Sequence, residues 1–379
     1  MKINPSEFYN LLIDKGINFF SGVPDSLLKE FNNVILKKSP NHIITANEGS
    51  AIALATGYHL ATSKIPIVYL QNSGTGNIVN PLMSLVSEKV YSIPMIIIIG
   101  WRGEPGIKDE PQHLSQGECM IDLIESLKID YNILPFDIEE AEKTISDMLT
   151  RVKVQSRPNI LLVRKNTFSK FNEINSIINN YTIYRKEAIE LITEKFGNDI
   201  MLSTTGKISR ELIETINEKN MSQDNIFLNV GAMGHVSMIS LGIAKNTNKR
   251  VICLDGDGSV IMHMGNLSTL GTSGCGNLVH VVLNNGMHES VGIQPTTGFN
   301  INLTNIAKNC GYGYVKLVSD VNELADALDE IYNSDSKSPI FLEIRISNKV
   351  NYNHELARPK DSPNERKIKF MQFITNLDM

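Results

Sequence analysis

Two polar clusters in this 379-residue chain carry residue types able to hold a metal and a phosphate. The first is Asp255-Gly256-Asp257-Gly258, which ends the apolar run Val251–Leu254. The second is Asn284-Asn285-Gly286, which ends the run Leu278–Leu283. A carboxylate from Asp257 and an amide oxygen from Asn285 make a small set of hard oxygen donors. Such sets suit Mg²⁺, which shares its octahedral sphere with phosphates. Gly256 and Gly258 let the backbone approach a phosphate, and a helix from Ser259 turns its N-terminus to the same place. For the clusters to meet, the two runs must be parallel neighbouring strands joined by a helical crossover. Both clusters then lie at the carboxyl edge of one sheet, where open α/β sheets bind ligands.

Around these clusters the chain alternates strand and helix. In the first half, strands are expected at Ile17–Ser21, Ile43–Ala46, Ile65–Leu70, Met95–Ile99, Tyr131–Leu134 and Ile160–Val163. Helices are expected at Asp25–Lys37, Glu48–Thr62, Asn77–Lys89 and Ile138–Val152. A long polar loop, Gly100–Gln116, separates two of these elements, and loops of that length inside a compact domain are usually functional. Residues 171–184 read as a linker, after which the alternation restarts and runs to a strand at Ile340–Ile344. The tail His354–Lys369 is basic, which gives it the character of a lid over an anionic ligand. The repeated element order predicts an α/β chain of two similar doubly wound parallel-sheet domains, residues 1–170 and 185–379, with no middle domain.

The formal charge of −5, with no basic stretch interleaved with aromatics, argues against a nucleic-acid partner. Cys119, Cys253, Cys275 and Cys310 form no CxxC pair, which points to reduced thiols in a cytoplasm and away from a zinc site. The N-terminus lacks an apolar signal core, and Ile93–Gly100 is too short to span a bilayer, so no membrane association is expected. Gly74-Thr75-Gly76 is a partial dinucleotide fingerprint, but Val79 stands where the third glycine belongs, so a nicotinamide site is not expected.

Gly256-Asp257-Gly258, about 25 further residues and then Asn284-Asn285 resemble the motif of thiamine-diphosphate enzymes. The resemblance implies that Asp257, Asn285 and the carbonyl of Met287 hold Mg²⁺, with Gly256, Gly258, Ser259 and Gly74 beside the cofactor. It also implies that Glu48, in Ala46-Asn47-Glu48-Gly49, activates the cofactor through its aminopyrimidine ring. Ser21–Ser26, Gln71–Gly74, Tyr91–Pro94, Gly100–Gly106, Lys108–His113 and His288–Gly292 narrow the likeness, which spans nearly the whole chain. They are similar to the phosphonopyruvate decarboxylase branch of the thiamine-diphosphate-dependent decarboxylases, to which sulfopyruvate decarboxylase is the near alternative.

That branch implies decarboxylation of a small anionic 2-keto acid, 3-phosphonopyruvate, to phosphonoacetaldehyde through an ylide and an enamine, within phosphonate biosynthesis. It implies a homodimer or higher homo-oligomer with the cofactor between subunits. Asp25 and His113 become candidates for proton transfer, although Gln112 replaces the first histidine of the pair found in pyruvate decarboxylases. Arg102 and Lys108 become candidates for the phosphonate or carboxylate, with His288 and Glu289 facing the same cavity and Lys207, Arg210 and Arg358 as weaker cations. Trp101 is expected to pack. A subunit of this fold that only binds or regulates would lack Glu48 or the Asp257/Asn285 pair, and both are present.

Overall fold

The computed structural model describes residues 2–171, 178–349, 354, 356 and 358–377. It divides into two compact units, Met1–Ser176 with His288–Pro295, and Ile177–Met287 with Thr296–Met379. The main sheet of the first unit is built from β1 (Phe20–Gly22), β2 (His42–Ile44), β3 (Ile67–Gln71), β4 (Ile96–Gly100), β5 (Asp130–Ile133) and β6 (Asn159–Val163). They form one parallel sheet in the order β2-β1-β3-β4-β6-β5. The second unit holds β7 (Ile200–Ser203), β8 (Ile226–Leu228), β9 (Val251–Gly256), β10 (Leu278–Asn284), β11 (Tyr314–Val318) and β12 (Ile340–Arg345). Its order, β8-β7-β9-β10-β12-β11, repeats that of the first sheet, and it too is parallel throughout.

Helices cover both faces of each sheet, so the central strands are largely apolar on both faces, with Asp255 and His280 as buried exceptions in the second sheet. The two-residue period then sorts their side chains. Ile67, Tyr69, Ile96, Ile98, Leu161 and Val163 join one core cluster. Val68, Leu70, Ile97, Ile99, Ile160 and Leu162 join the cluster on the other face. The second unit repeats this, with Ile252, Leu254, Val279 and Val281 on one side and Val251, Cys253, Leu278 and Val282 on the other. Some helices start where short polar side chains accept amide hydrogens: Asn47 from Ser50, Asp137 from Glu139 and Glu140, Asp320 from Asn322 and Glu323.

Several elements differ from the sequence-based expectation. The helix expected from Asp25 begins at Lys29, because Asp25 caps a turn ahead of it. The long loop is cut short by a helix at Pro111–Glu118, whose first residue is a proline suited to that position. His113 is therefore a helical residue. The Asn77–Lys89 helix is instead a 3₁₀ turn, an α-helix at Thr75–Pro81 and a π-turn at Leu82–Val86, with Pro81 at the break. The crossover after β9 starts at Asp257 and splits into Asp257–Met262 and Asn266–Gly271. An N-terminal helix, Pro5–Asp14, went unpredicted, although Asn4-Pro5 carries its cap signal.

Within the expected linker, residues 172–177 lie outside the described residues. Beyond them, Ile183 is buried in the second unit and its carbonyl accepts the Ser347 amide. Residues 350–353, just before the basic tail, and 355 and 357 within it are likewise outside the described residues. The remainder is no free lid: Pro363–Leu377 is a helix whose Phe370 packs on Phe227, and whose Arg366 bonds Gln223. Among the described residues, no helix is long and apolar enough to cross a membrane.

Ile98 is fully buried at the centre of the first sheet. Ile98→Ala is expected to cost about 2–5 kcal/mol. Urea denaturation of the full chain, followed by circular dichroism, measures this as a lowered transition midpoint.

Candidate active site

In the first unit, Glu48 opens the Glu48–Thr62 helix and is only 5% exposed. Its Oε2 accepts from Asn77 Nδ2 at 2.7 Å. Its Oε1 lies over Gly74, where a Cβ would collide with it. Gly74 is therefore a steric requirement of Glu48. Burial raises the Glu48 pKa, against the pull of the Asn77 hydrogen bond. Asn77 has no sequence signature that marks it in advance.

Asp25 is fully buried after β1, and its Oδ2 accepts from the Leu27 and Leu28 amides at 2.9 and 3.0 Å. Its Oδ1 has no hydrogen-bond partner. Burial pushes the carboxyl up to about 6, opposed by the Leu28 amide and by the charge of Arg102. Gly100, the last residue of β4, must lack a side chain because a Cβ there would strike Asp25. His113 is buried on its helix with Nδ1 unpartnered. Burial, and next the charge of Arg102, push it down to about 4, so its ring is neutral at pH 7.

Arg102 stands between these groups electrostatically, but its own donors are engaged. Nε donates to Asp109 Oδ2 at 2.7 Å, Nη2 pairs with Asp109 Oδ1, and Nη1 donates to Ser26 at 2.7 Å. Asp109 also accepts from the Gly103 and Glu110 amides. Burial opposes ionisation of Asp109, yet the Arg102 and amide hydrogen bonds hold its carboxyl well below the usual range. This fork-on-carboxylate pair fixes the Trp101–Glu110 loop. Asn72 ties the loop to the end of β3 by bonding both the amide and the carbonyl of Arg102. Trp101 packs, with Nε1 donating to the Gly117 carbonyl at 3.0 Å. Lys108 is exposed on the loop, and its carbonyl accepts from Lys165. His288 and Glu289 are half-buried and belong to the His288–Pro295 segment that groups with this unit. Burial pushes His288 down to about 4. Gln294 of the same segment is buried and bonds Asn33.

In the second unit, β9 and β10 are parallel neighbours with Gly256 opposite Leu283. Asp257 and the Asn284-Asn285 pair therefore leave the sheet side by side. Asp257 is 2% exposed. Its hydrogen bonds come from the Thr296 hydroxyl and from backbone amides including those of Asn285 and Gly258. Burial lifts its carboxyl to about 6, with the Thr296 hydrogen bond acting against the shift. Asn285 is buried, and its Oδ1 accepts from the Met287 amide at 3.1 Å. Asn284 serves the fold instead: its Nδ2 donates to the Gly298 carbonyl and to Glu343, and its Oδ1 accepts from Gly286. Ser259 accepts from Thr204 and from the Gly234 amide. Thr296 and Gly298 were not legible as site residues; the turn they form lies 39 residues beyond Asp257 in the Thr296 case. A Cβ at Gly298 would come within 2.6 Å of Asp257.

This donor set fits a hard divalent cation. A carboxylate taken out of water needs a compensating charge, and among the described residues Asp257 has only neutral partners. Asn285, whose backbone amide bonds Asp257, brings a neutral amide oxygen to the same turn.

Residues 7–126 match the family model described as the N-terminal thiamine pyrophosphate binding domain of thiamine pyrophosphate enzymes. Residues 206–344 match the corresponding C-terminal domain. The chain is 33% identical to a phosphonopyruvate decarboxylase of Streptomyces viridochromogenes, over 95% of this chain and 92% of that protein. It is also 33% identical to one of Streptomyces hygroscopicus, over 98% of this chain and 94% of that protein. A sulfopyruvate decarboxylase of Methanosarcina acetivorans is 26% identical over 82% of this chain and 83% of its own length. Glu48 and the Arg102–Asp109 pair lie inside the first matched domain, and Asp257 and Asn285 inside the second. The chain belongs to the family of thiamine-diphosphate-dependent decarboxylases that includes these proteins.

Proposed function

We propose that this decarboxylase acts on 3-phosphonopyruvate, releasing CO₂ and phosphonoacetaldehyde in phosphonate biosynthesis. The observation that carries the substrate is the near-full-length similarity to two phosphonopyruvate decarboxylases at 33% identity. The sulfopyruvate enzyme is similar over less of the chain and at 26%. It remains the second reading because the Arg102 guanidinium is engaged by Asp109, which leaves less free positive charge for a doubly charged phosphonate.

Loss of CO₂ from a 2-keto acid leaves an electron pair on the carbonyl carbon, and thiamine diphosphate, when bound, supplies the sink for it. Asp257, Asn285 and the Met287 carbonyl are the residues for Mg²⁺, with Gly256, Gly258 and Ser259 beside the diphosphate. Glu48 is the residue for the aminopyrimidine ring. Asn77 occupies its Oε2, and burial favours a proton on this carboxyl, so Oε1 is the atom that presents it. Asp25 keeps Oδ2 in amide hydrogen bonds and offers Oδ1 to hold or release a proton near pH 6. His113, neutral and with Nδ1 unpartnered, is the second proton carrier. Arg102 holds the loop and sets the potential at both groups. Lys108, exposed on that loop, is the candidate cation for the phosphonate, and His288 and Glu289 are further candidates at the substrate. The four cysteines are free, which supports a reducing, cytoplasmic setting. The family resemblance supports a homodimer as the smallest active assembly.

CO₂ release from phosphonopyruvate, sulfopyruvate and pyruvate in parallel tests the substrate. Preference for phosphonopyruvate is the expected result; preference for sulfopyruvate replaces it. Glu48→Gln is expected to lose about 10²–10⁴-fold in turnover while still binding the cofactor, as followed by thermal shift. Asp257→Asn is expected to weaken Mg²⁺ binding by more than the roughly 10–100-fold typical of outer-shell changes. Calorimetric titration with thiamine diphosphate present measures that loss.

Asp25 also sets a pH dependence of stability. Its folded value, about 6, is above the ordinary 3.8, so the folded chain binds this proton more tightly. Its contribution is complete below about 3.8 and declines as pH rises through about 6. Asp25→Asn is expected to remove that decline. The difference in urea midpoint between variant and parent, compared at pH 4 and pH 7, reads it directly.

A further inference from the structure

A second polar group lies beneath the Asp257 turn, inside the apolar face of the second sheet. Asp255 of β9 and His280 of β10 meet diagonally across the two strands, each only 1% exposed. Asp255 Oδ1 accepts from the Gly256 amide at 2.9 Å. Its Oδ2 lies 3.3 Å from His280 Nε2, and His280 Nδ1 lies 3.2 Å from the Tyr312 hydroxyl. A carboxylate oxygen accepts, so Nε2 is the donor, which leaves Nδ1 to accept from Tyr312. Phe341 meets both rings edge-on, at 5.4 Å from His280 and 5.5 Å from Tyr312. The core cluster on this face of the sheet includes Leu278, Val282 and Leu270.

Cys253, Asp255 and His280 bring three donor atoms within 4.8 Å of one another. Both imidazole nitrogens are nevertheless engaged, one by Asp255 and one by Tyr312. The arrangement is thus a hydrogen-bond chain and not a set of metal ligands. Burying such a chain in an apolar layer costs free energy unless every member is satisfied, and apolar residues would fill the same layer more cheaply. Its far end explains its presence. The Gly256 amide held by Asp255 is one peptide from Asp257.

We propose that His280 is a positioning residue for the Mg²⁺ site, acting through Asp255 on the backbone that aims the Asp257 carboxylate. The proposal rests on the reading of Asp257 as a Mg²⁺ ligand. His280 fixes Oδ2 of Asp255, so Oδ1 is held on the Gly256 N–H. The Asp255–Gly256 peptide, one before the peptide of Asp257, then has one orientation before any cation arrives. Tyr312 sets the tilt of the imidazole from the other side. Hydrogen-bond partners behind a ligand commonly govern metal affinity in this manner.

The test compares His280→Leu, His280→Gln, Tyr312→Phe and Asp257→Asn in the full-length protein. Mg²⁺ is titrated calorimetrically with thiamine diphosphate present, and far-ultraviolet circular dichroism checks the fold. His280→Leu is expected to lower Mg²⁺ affinity about 10–100-fold. His280→Gln, whose amide can donate to Asp255, is expected to recover most of it, and Tyr312→Phe to lose less than His280→Leu. If His280→Leu does not fold, Tyr312→Phe and His280→Gln carry the comparison. Parent-like affinity in the His280 and Tyr312 variants, with loss in Asp257→Asn, would overturn the positioning role alone. So would a Gln variant as impaired as the Leu variant, since packing would then be the whole effect. Parent-like affinity in Asp257→Asn would instead overturn the metal reading on which the proposal stands.

Discussion

A carboxylate buried with, among the described residues, no cationic side chain beside it is the constraint around which the second unit is built. Asp257 is closed off from solvent by the Thr296–Gly298 turn, and its hydrogen bonds come from neutral groups. An anion so placed is unfavourable without a compensating charge, which in the proposed reading a divalent ion supplies. Further contacts hold the surroundings of Asp257. Asn284 holds the Gly298 carbonyl and Glu343, and Glu343 is paired with Arg345, whose guanidinium lies over Phe299. Gly286 and Gly298 each stand where a side chain would strike Phe299 or Asp257.

The first unit solves a different problem with the same sheet order. Its candidate carboxyls, Glu48 and Asp25, are buried, and burial raises the pKa of each. Each sits against a glycine at the end of a strand or in the turn that follows one, Gly100 and Gly74. The charge of Arg102 opposes the upward shift of Asp25, and Asp109 keeps that charge in place. The pairing explains why a cation in this loop need not be a free anion receptor. Removing Asp109 would release Arg102 and alter the potential at Asp25 and His113 together.

The two sheets share one strand order although the chain shows no sequence repeat. Only the pattern of burial recurs: central strands apolar on both faces, and polar residues at the carboxyl ends. That pattern is what parallel sheets covered by helices require, and many sequences satisfy it.

Much of this was legible in the residues alone. Long apolar strands such as Ile96–Gly100, and helices such as Glu48–Thr62 with its Asn47 cap, are set by local periodicity and capping chemistry. The Asp257 and Asn285 clusters were legible because their chemistry is unusual at strand ends. Other features depend on contacts between residues distant in the chain. Asn77 on Glu48, Asp109 on Arg102, Thr296 on Asp257 and His280 on Asp255 are each fixed by packing, which no local pattern encodes. The helix at Pro111 and the break at Pro81 were missed because proline suits a first turn as readily as it ends a helix. Residue types thus determined which chemistry is available. Tertiary structure decided which groups are buried, which are already paired, and so which proton or charge each can offer.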